Sequence, residues 1–225
     1  MNLSERFHSW RRREADKLRG MTLREKAGYL IAYYKGWFAG FLALLLFLGY
    51  AGDVIIQRHR ETVLQGFFTN DDYNLFPAGQ LQKDVSRYLG LPRGQQVAFD
   101  DDLYVDLHGG ATQYTAASNS KIIAYMAAKE LDFVVTSREV YDHFAREIPL
   151  RDLSELLPPG LYQRLAPYLA SAPDHEGKMI PCGIELSTSR FLRDTGLAEG
   201  SYYLFVPQSA PHSEQLCAFI QYCFE

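Results

Sequence analysis

An uncharged apolar run near the start of the chain constrains its fold more than any other feature. Residues 36–52 read GWFAGFLALLLFLGYAG, 17 residues without a charged side chain. This length is at the lower limit for a helix that spans a bilayer, and adding residues 54–56 brings it to about 20. Aromatic side chains of the kind found at membrane surfaces flank the run: Tyr33, Tyr34, Trp37 and Tyr50. The sequence therefore predicts one transmembrane helix over residues 36–56.

The charge distribution predicts which side of the membrane each part occupies. Residues 1–35 contain nine Lys or Arg and four acids, a local charge of +5, whereas the rest of the chain has 14 basic and 23 acidic residues, or −9. Basic segments beside a transmembrane helix stay in the cytoplasm. We expect a protein of the cell membrane, with a cytoplasmic basic leader and juxtamembrane helix over residues 1–35 and an extracellular domain over residues 57–225.

A cleaved signal peptide is the main alternative for the apolar run. Gly49, Tyr50 and Ala51 place small residues where a signal peptidase reads the chain. The leader, however, is longer than the basic region of a signal peptide, and its stretch LREKAGYLIAYYKGW carries apolar residues at helical spacing. These features favour an anchor that is not cleaved, with the lipid bilayer as its first partner.

Residues 57–225 open with a polar connection at 57–62 and then alternate strand and helix patterns. Strands are predicted at 63–68, 97–99, 103–107, 131–135, 182–186 and 202–206, with a turn at 100–102. Helices are predicted after Pro77, from a cap at Ser118 or Asn119, and at 138–145 from a cap at Thr136 or Ser137. A closing helix HSEQLCAFIQYCF turns Leu216, Phe219, Ile220 and Cys223 inward. This order predicts one α/β domain with a mixed sheet flanked by helices.

Several kinds of chemistry have no motif in this chain. Cys182, Cys217 and Cys223 are too few for a disulfide framework, and both a Cys182–Cys217 bond and buried free thiols stay open. No CxxC or HxxxH spacing occurs, and no GxGxxG or phosphate-binding loop, so we expect neither a metal nor a cofactor. The acidic body argues against binding of nucleic acid.

Two parts of the body resemble known proteins. The run KIIAYMAAKELDFVV at 121–135 is similar to a helix and strand in the ligand-binding lobe of extracellular solute-binding proteins of bacterial ABC importers. The segments CGIELSTSRF and YYLFVPQSAPHSEQLCAFIQYCFE resemble later strand, loop and helix stretches of the same group. The resemblance implies a solute-binding-like lobe. Such proteins have two lobes and a ligand in the cleft between them, whereas this body is nearer the size of a single lobe or of a much reduced pair.

The leader carries a second resemblance. Residues 25–29, EKAGY, and residues 33–35, YYK, stand just before the apolar run. They resemble a Glu-Lys-x-x-Tyr and Tyr-Tyr-Lys segment in a set of uncharacterised single-pass membrane proteins of Firmicutes. This resemblance implies a membrane anchor followed by an extracytoplasmic domain.

Polar residues at the ends of predicted strands and helices are the candidate ligand contacts. They are Asn70, Asp71 and Tyr73 after the first strand, Ser118, Asn119 and Ser120 at a helix start, and Ser187 and Ser189 after a later strand. Free N–H groups at a helix start suit an anion, and α/β sheets commonly bind ligands at strand ends. Ordinary caps and turns use the same residue types, so the pattern alone does not separate the two roles.

Ser118 and Lys121 also match the S-x-x-K pattern of penicillin-recognising hydrolases, in which the lysine activates the serine. The partner motifs S-D-N and K-T-G are absent from the chain. The pattern is therefore better explained by helix capping, which would place Lys121 in the first helical turn with its ammonium group in solvent.

Three hypotheses for function follow from these features. The first is a non-enzymatic, membrane-anchored domain that senses a small-molecule ligand or serves as an accessory subunit of an envelope complex. The second is an S-x-x-K serine hydrolase of the cell envelope. The third is a purely structural partner of another membrane protein.

The predicted topology can be tested directly. We expect a C-terminal alkaline phosphatase fusion to be active, because the phosphatase folds only outside the cytoplasm, and the full-length protein to stay in the membrane fraction after a carbonate wash. Release of a soluble fragment that begins near Gly52 would show instead that the apolar run is a cleaved signal.

Overall fold

A computed structural model describes residues 22, 25, 28, 35, 36, 39–50, 52 and 60–225, with gaps at 111, 175 and 199. The chain forms two compact units, Met1–His59 and Arg60–Glu225. The boundary between them falls within the polar connection at 57–62.

Residues 39–50 of the first unit are helical, and their large apolar side chains are exposed. The exposed fraction is 61% for Phe41, 67% for Leu46 and 65% for Phe47. Among the described residues, no helix has both the length and the apolar character needed to cross a bilayer. The predicted transmembrane and juxtamembrane helices both include residues outside the described set, so they stay predictions.

The second unit, Arg60–Glu225, contains six strands and six α-helices among its described residues. The strands are β1 (Glu61–Thr69), β2 (Gln95–Leu103), β3 (Phe133–Ser137), β4 (Leu169–Pro173), β5 (Met179–Glu185) and β6 (Tyr202–Phe205). The helices are α1 (Ala78–Tyr88), α2 (Gln113–Ala127), α3 (Arg138–Glu147), α4 (Leu153–Leu156), α5 (Pro159–Leu165) and α6 (Ser213–Cys223). A 3₁₀ turn, Ala166–Tyr168, joins α5 to β4.

All six strands form one mixed sheet in the order β2-β1-β3-β6-β5-β4. β1 pairs in parallel with β2 and β3, and the remaining neighbours pair in antiparallel fashion. Because β6 is antiparallel to both β3 and β5, β5 runs in the same direction as β1. The carboxyl ends of β1, β2, β3 and β5 therefore meet at one edge of the sheet, and their starts lie at the opposite edge.

Helices cover both faces of this sheet. Leu64 and Phe68 of β1 pack on one face with residues of α1, α4, α5 and α6, and Phe67 packs on the other face with residues of α2 and α3. A strand that is covered on both sides needs apolar residues at successive positions. This explains the nearly continuous apolar run in VLQGFF and confirms the predicted α/β class.

Most of the predicted elements are confirmed. Four predicted strands overlap strands of this one sheet, those at 63–68, 131–135, 182–186 and 202–206. Ile122, Phe219 and Ile220 are fully buried against the sheet, and Met126 packs partly buried beside Ile122. The closing helix turns Leu216 and Cys223 inward, as predicted. Helical spacing and apolar runs were therefore reliable signals here.

The separate strands at 97–99 and 103–107 are wrong, because one strand, β2, runs from Gln95 to Leu103. The acids that indicated a turn are held within the strand. Asp101 accepts a hydrogen bond from the backbone N–H of Ala78 at 2.7 Å, and Asp100 forms an ion pair with Lys121. An edge strand accommodates such charged side chains because one of its sides faces solvent.

Two further expectations are corrected. β4, with the sequence LASAP, was not predicted, because its proline and small residues indicate a turn; it forms as an edge strand through its pairing with β5. The second correction concerns the capping bond of α3: the helix begins at Arg138 with Ser137 at the cap position, as predicted, but the Ser137 side chain forms no capping bond and the hydroxyl of Thr136 bonds to Thr69 at 2.6 Å.

The contact between Gly66 and Phe133 generates a testable prediction. A methyl group added at Gly66 would overlap the Phe133 ring, which is stacked on Phe219. We expect Gly66→Ala to lower the free energy of unfolding by about 1–3 kcal/mol and Phe133→Ala by about 3–5 kcal/mol. The double variant should lose less than the sum, because the added methyl group enters the vacated space.

Urea unfolding of the full-length protein in mild detergent, followed by circular dichroism, would measure these changes. Gly79→Ala is the matched control, since a methyl group at that exposed helical position meets nothing within 4 Å and should be neutral or mildly stabilising. Additive losses in the double variant would contradict the proposed packing.

Candidate functional site

The carboxyl ends of β1 and β3 meet at the point where the chain connections lead to opposite sides of β1. From β1 the chain crosses to β2 on one side, and from β2 it returns to β3 on the other. α/β sheets commonly bind ligands in the crevice at such a point. Here the hydroxyls of Thr69 and Thr136, both buried, bond at 2.6 Å, and the hydroxyl of Tyr202 donates to the carbonyl of Asn70 at 3.0 Å. Side chains of the protein itself therefore occupy this space.

The predicted ligand residues after β1 serve the local structure. Asn70, in the left-handed region at φ 56°, bonds both the N–H and the carbonyl of Val105 through its side chain, each at 2.9 Å. The carboxylate of Asp71 accepts the N–H groups of Leu75 at 2.9 Å and Phe76 at 2.8 Å. Tyr73 is exposed. Of the three, Tyr73 therefore presents its side chain most openly to solvent.

Tyr202 lies under this loop with its ring buried. Burial, and then the nearby carboxylates of Asp71 and Asp72, raise the pKa of Tyr202 to about 12. Its hydroxyl stays protonated at physiological pH and keeps its hydrogen bond to Asn70. The tyrosine therefore acts here as a structural donor.

The predicted helix start at Ser118 or Asn119 is wrong. α2 begins at Gln113, and Thr112 caps it by accepting the N–H of Thr115 at 3.2 Å. Ser118 lies within the helix, buried, and accepts the N–H of Tyr104 at 3.2 Å. Asn119 is half-buried beside it, and Ser120 donates its hydroxyl to the carbonyl of Ala116. These three residues therefore do not offer free helix-terminal N–H groups.

Lys121 is not in the first helical turn, and its ammonium group is not simply solvated. It forms an ion pair with Asp100 of β2 and lies 5.5 Å from the centre of the Phe67 ring. The S-x-x-K mechanism requires the lysine nitrogen to accept the serine proton, so the lysine must be neutral. Here the Lys121 nitrogen pairs with the carboxylate of Asp100, and the Ser118 hydroxyl accepts the N–H of Tyr104. This geometry does not favour Ser118 as a nucleophile.

Ser187 and Ser189 follow β5 at the same edge of the sheet. Ser187 bonds the carboxylate of Glu185 through both its N–H and its hydroxyl. Ser189 is fully buried, and its hydroxyl has no hydrogen-bond partner among the described residues. The predicted residues thus lie mostly along one edge, but the structure does not join them around an open space.

A large open cavity lies near the opposite edge of the sheet, where β3 and β5 begin. It has a volume of about 900 Å³, within the usual range for small-molecule sites. Its floor consists of small and apolar residues from α3, the following segment and the β4–β5 hairpin: Ala145, Ile148, Leu150, Ala172, Ile180 and Cys182. Its rim is charged and is formed by Arg146, Glu147, Arg151, Asp152, Glu155, Asp174 and Lys178.

Backbone hydrogen bonds hold the walls of this cavity. Leu150 forms an isolated antiparallel bridge with Pro207, and the N–H of Arg151 donates to the carbonyl of Val206 at 2.9 Å. In the hairpin, Asp174 accepts the N–H of Lys178 at 2.9 Å. The cavity joins segments that are distant in the chain and contains no recognisable motif, so sequence reasoning did not find it.

Cys182 on the cavity floor is a structural thiol. It lies 3.5 Å from the hydroxyl of Tyr141, and burial raises the pKa of both groups. A protonated thiol is a poor nucleophile. All three cysteines are free in the structure, and Cys217 donates to the carbonyl of Leu156 at 3.3 Å, so the open alternative of a Cys182–Cys217 bond is not realised.

A buried Asp–His pair also lies near the start of β3. Asp132 is fully buried and accepts three hydrogen bonds, from the N–H of Gln65 at 2.7 Å, the N–H of His212 at 2.9 Å and His212 Nδ1 at 2.9 Å. The single polar residue in the apolar run at 131–135 was the signal for this pair. The bonds attach the start of α6 to the sheet.

Substitutions at Ser118 and Lys121 test whether these residues stabilise the fold, through the hydrogen bond of Ser118 and the ion pair of Lys121, or take part in catalysis. Ser118→Ala should lower the free energy of unfolding by about 1 kcal/mol, because the N–H of Tyr104 loses its acceptor. Lys121→Met should cost about 0.2–1 kcal/mol, with a smaller loss at high salt, because Asp100 loses a partly exposed partner. Urea unfolding of the full-length protein measures both changes.

Asn119→Ala serves as the control and should be neutral or mildly stabilising, since alanine favours a helix interior. A fluorophosphonate probe should not label the wild-type protein. Stoichiometric labelling of Ser118 would overturn the structural interpretation of this residue and revive the hydrolase hypothesis.

Neither a metal-binding group among the described residues nor a similar known protein adds to this description of the site. Within the part of the chain that the structure describes, no group of three or more His, Cys, Asp or Glu is arranged to hold a metal ion. No family model matches the chain, and no curated protein or solved structure is significantly similar to it.

Proposed function

We propose that this protein is a single-pass protein of the cell membrane whose extracellular body binds a small-molecule ligand without transforming it. Residues 36–56 would span the bilayer, with residues 1–35 in the cytoplasm and residues 57–225 outside. In this role the body would serve as a ligand sensor or as an accessory subunit of an envelope complex, in contact with another membrane protein.

The helical residues 39–50 support the anchor. Their leucine and phenylalanine side chains are half or more exposed on every side of the helix that the structure describes. Soluble proteins rarely expose an apolar surface of this kind, because contact with water is unfavourable. A lipid bilayer would remove that surface from water, and the basic leader sets the direction of insertion.

The open cavity carries the proposal of ligand binding. It combines an apolar floor with charged groups, and backbone bonds fix its walls before any ligand arrives. Small-molecule sites have this composition and are usually preformed. The mixed sheet with helices on both faces is also consistent with the proposed solute-binding-like lobe, although transport of a solute is not part of the proposal.

A ligand screen with a cavity-blocking variant tests the proposal. Gln208 is exposed and lines the cavity, so Gln208→Trp should fill part of the space. Gln163→Trp is the matched control, because Gln163 is also exposed, in α5, and lies outside the cavity. The full-length protein in mild detergent is screened by thermal shift against a library of amino acids, peptides, sugars and nucleosides.

At a concentration of 100 times its Kd, a ligand should raise Tm by about 5–10 °C in the wild type and in Gln163→Trp. The shift should disappear in Gln208→Trp. Absence of any shift, or a shift that survives in Gln208→Trp, would contradict ligand binding in this cavity. Stable co-purification with another membrane protein and no ligand shift would favour the purely structural role instead.

A further inference from the structure

The charges on the cavity rim indicate which ligands the cavity can bind. We infer that it binds a small zwitterion that carries a carboxylate and an ammonium group. The volume of the cavity suits a short peptide with free termini. The inference rests on the proposed function, because it specifies the ligand of the same cavity.

Positive side chains approach the cavity from three segments. Arg146 lies in the last turn of α3, Arg151 lies in the following segment, and Lys178 lies in the β4–β5 hairpin. The guanidinium of Arg151 donates to the carbonyl of Ala210 at 3.1 Å. Within the described residues, Arg146 and Lys178 have no carboxylate within 4.0 Å. Both cations are therefore available to a carboxylate that enters the cavity.

Negative side chains line the same space. Asp152 is already used, since its carboxylate caps α4 by accepting the N–H of Ser154 at 2.8 Å, and Asp174 organises the hairpin turn. Glu147, beside Arg146 in the chain, and Glu155 of α4 form no ion pair with any described residue. These two carboxylates are available to an ammonium group.

The presence of both positive and negative side chains on the rim favours a zwitterionic ligand over a simple anion or a simple cation. A simple anion would be attracted by Arg146 and Lys178 but repelled by the four carboxylates of the rim, and a simple cation would meet the three basic groups. Each such ligand leaves like charges close together in a partly desolvated space, which is unfavourable. A zwitterion can pair with both sets at once, so electrostatic selectivity favours it.

The size and floor of the cavity refine this class. About 900 Å³ exceeds what a single amino acid requires, and the floor of Leu150, Ala172 and Ile180 offers apolar contact between the charged groups. A short peptide places its ammonium and carboxylate groups at its two ends, with side chains between them. Charged contacts at both ends and apolar contact in the middle are what this cavity provides.

Capped and free peptide pools test the inference on the full-length protein in mild detergent. The probes are a random tripeptide pool with free termini and the same pool N-acetylated, C-amidated, or both. The free pool should raise Tm, and the doubly capped pool should have no effect at the same concentration. Equal shifts from both pools would overturn the inference while leaving ligand binding intact.

Charge-removing variants assign each end of the ligand. With a single tripeptide selected from the free pool, Arg146→Gln/Lys178→Gln should weaken binding by about tenfold or more, and the same pair should have no effect on its C-amidated form. Glu147→Gln/Glu155→Gln should weaken binding of the free peptide similarly, with no effect on the N-acetylated form. Arg87→Gln/Arg193→Gln, both exposed and outside the cavity, is the control and should bind as the wild type does.

The two sets of experiments distinguish failure of this inference from failure of the proposed function. If another ligand of the library gives a shift that Gln208→Trp removes, while the free tripeptides give none, the cavity binds ligands of another class. If no compound gives a cavity-dependent shift, ligand binding itself is wrong.

Discussion

The packing of Phe133 across Gly66 is the contact on which the centre of the domain depends. The two residues are partners in the β1–β3 pairing, and the absence of a side chain at Gly66 lets the aromatic ring lie against β1. On its other side the ring stacks on Phe219 of α6 at 4.4 Å, with Phe68 and Phe99 in edge contact at 5.7 Å. One side chain therefore connects the three parallel strands to the last helix. Aromatic pairs of this kind each contribute about 0.5–1.5 kcal/mol beyond the burial of their area.

The preceding residue, Asp132, connects the same elements through hydrogen bonds. A buried carboxylate is costly unless its oxygens are bonded, and here Gln65 and His212 supply all three donors. The start of β3 is thus fixed both to β1 and to the segment before α6. That segment also carries Pro207, whose bridge to Leu150 forms part of the cavity wall. The cavity therefore depends on the same fixed centre of the sheet, with no need for a ligand to form it.

The two edges of the sheet differ in how they use polar groups. At the carboxyl ends of the parallel strands, Thr69, Thr136, Asn70 and Tyr202 bond to one another or to the backbone, which leaves the crevice closed. At the opposite edge, charged side chains of both signs surround an open space, and four of them, Arg146, Glu147, Glu155 and Lys178, form no ion pair with a described residue. Polar groups whose hydrogen bonds are already made inside a protein contribute little to ligand binding, whereas charged groups without a partner can pair with a ligand. This difference places the proposed ligand site away from the edge that is usual for α/β sheets.

The sequence by itself determined the α/β class, most strands and the inward face of α6, because the spacing of apolar residues along one segment indicates which of its sides is buried. It also predicts the membrane anchor, since 17 successive uncharged residues are read without reference to any other part of the chain. Only the tertiary structure decided that Asp100 and Asp101 lie within a strand, that LASAP pairs with β5, and that Ser118 lies inside a helix rather than at its start. The Asp132–His212 pair and the cavity likewise required the folded chain. Except for the start of α2, which Thr112 caps locally, each of these features depends on partners far away in the sequence, and local periodicity contains no information about which distant segments meet.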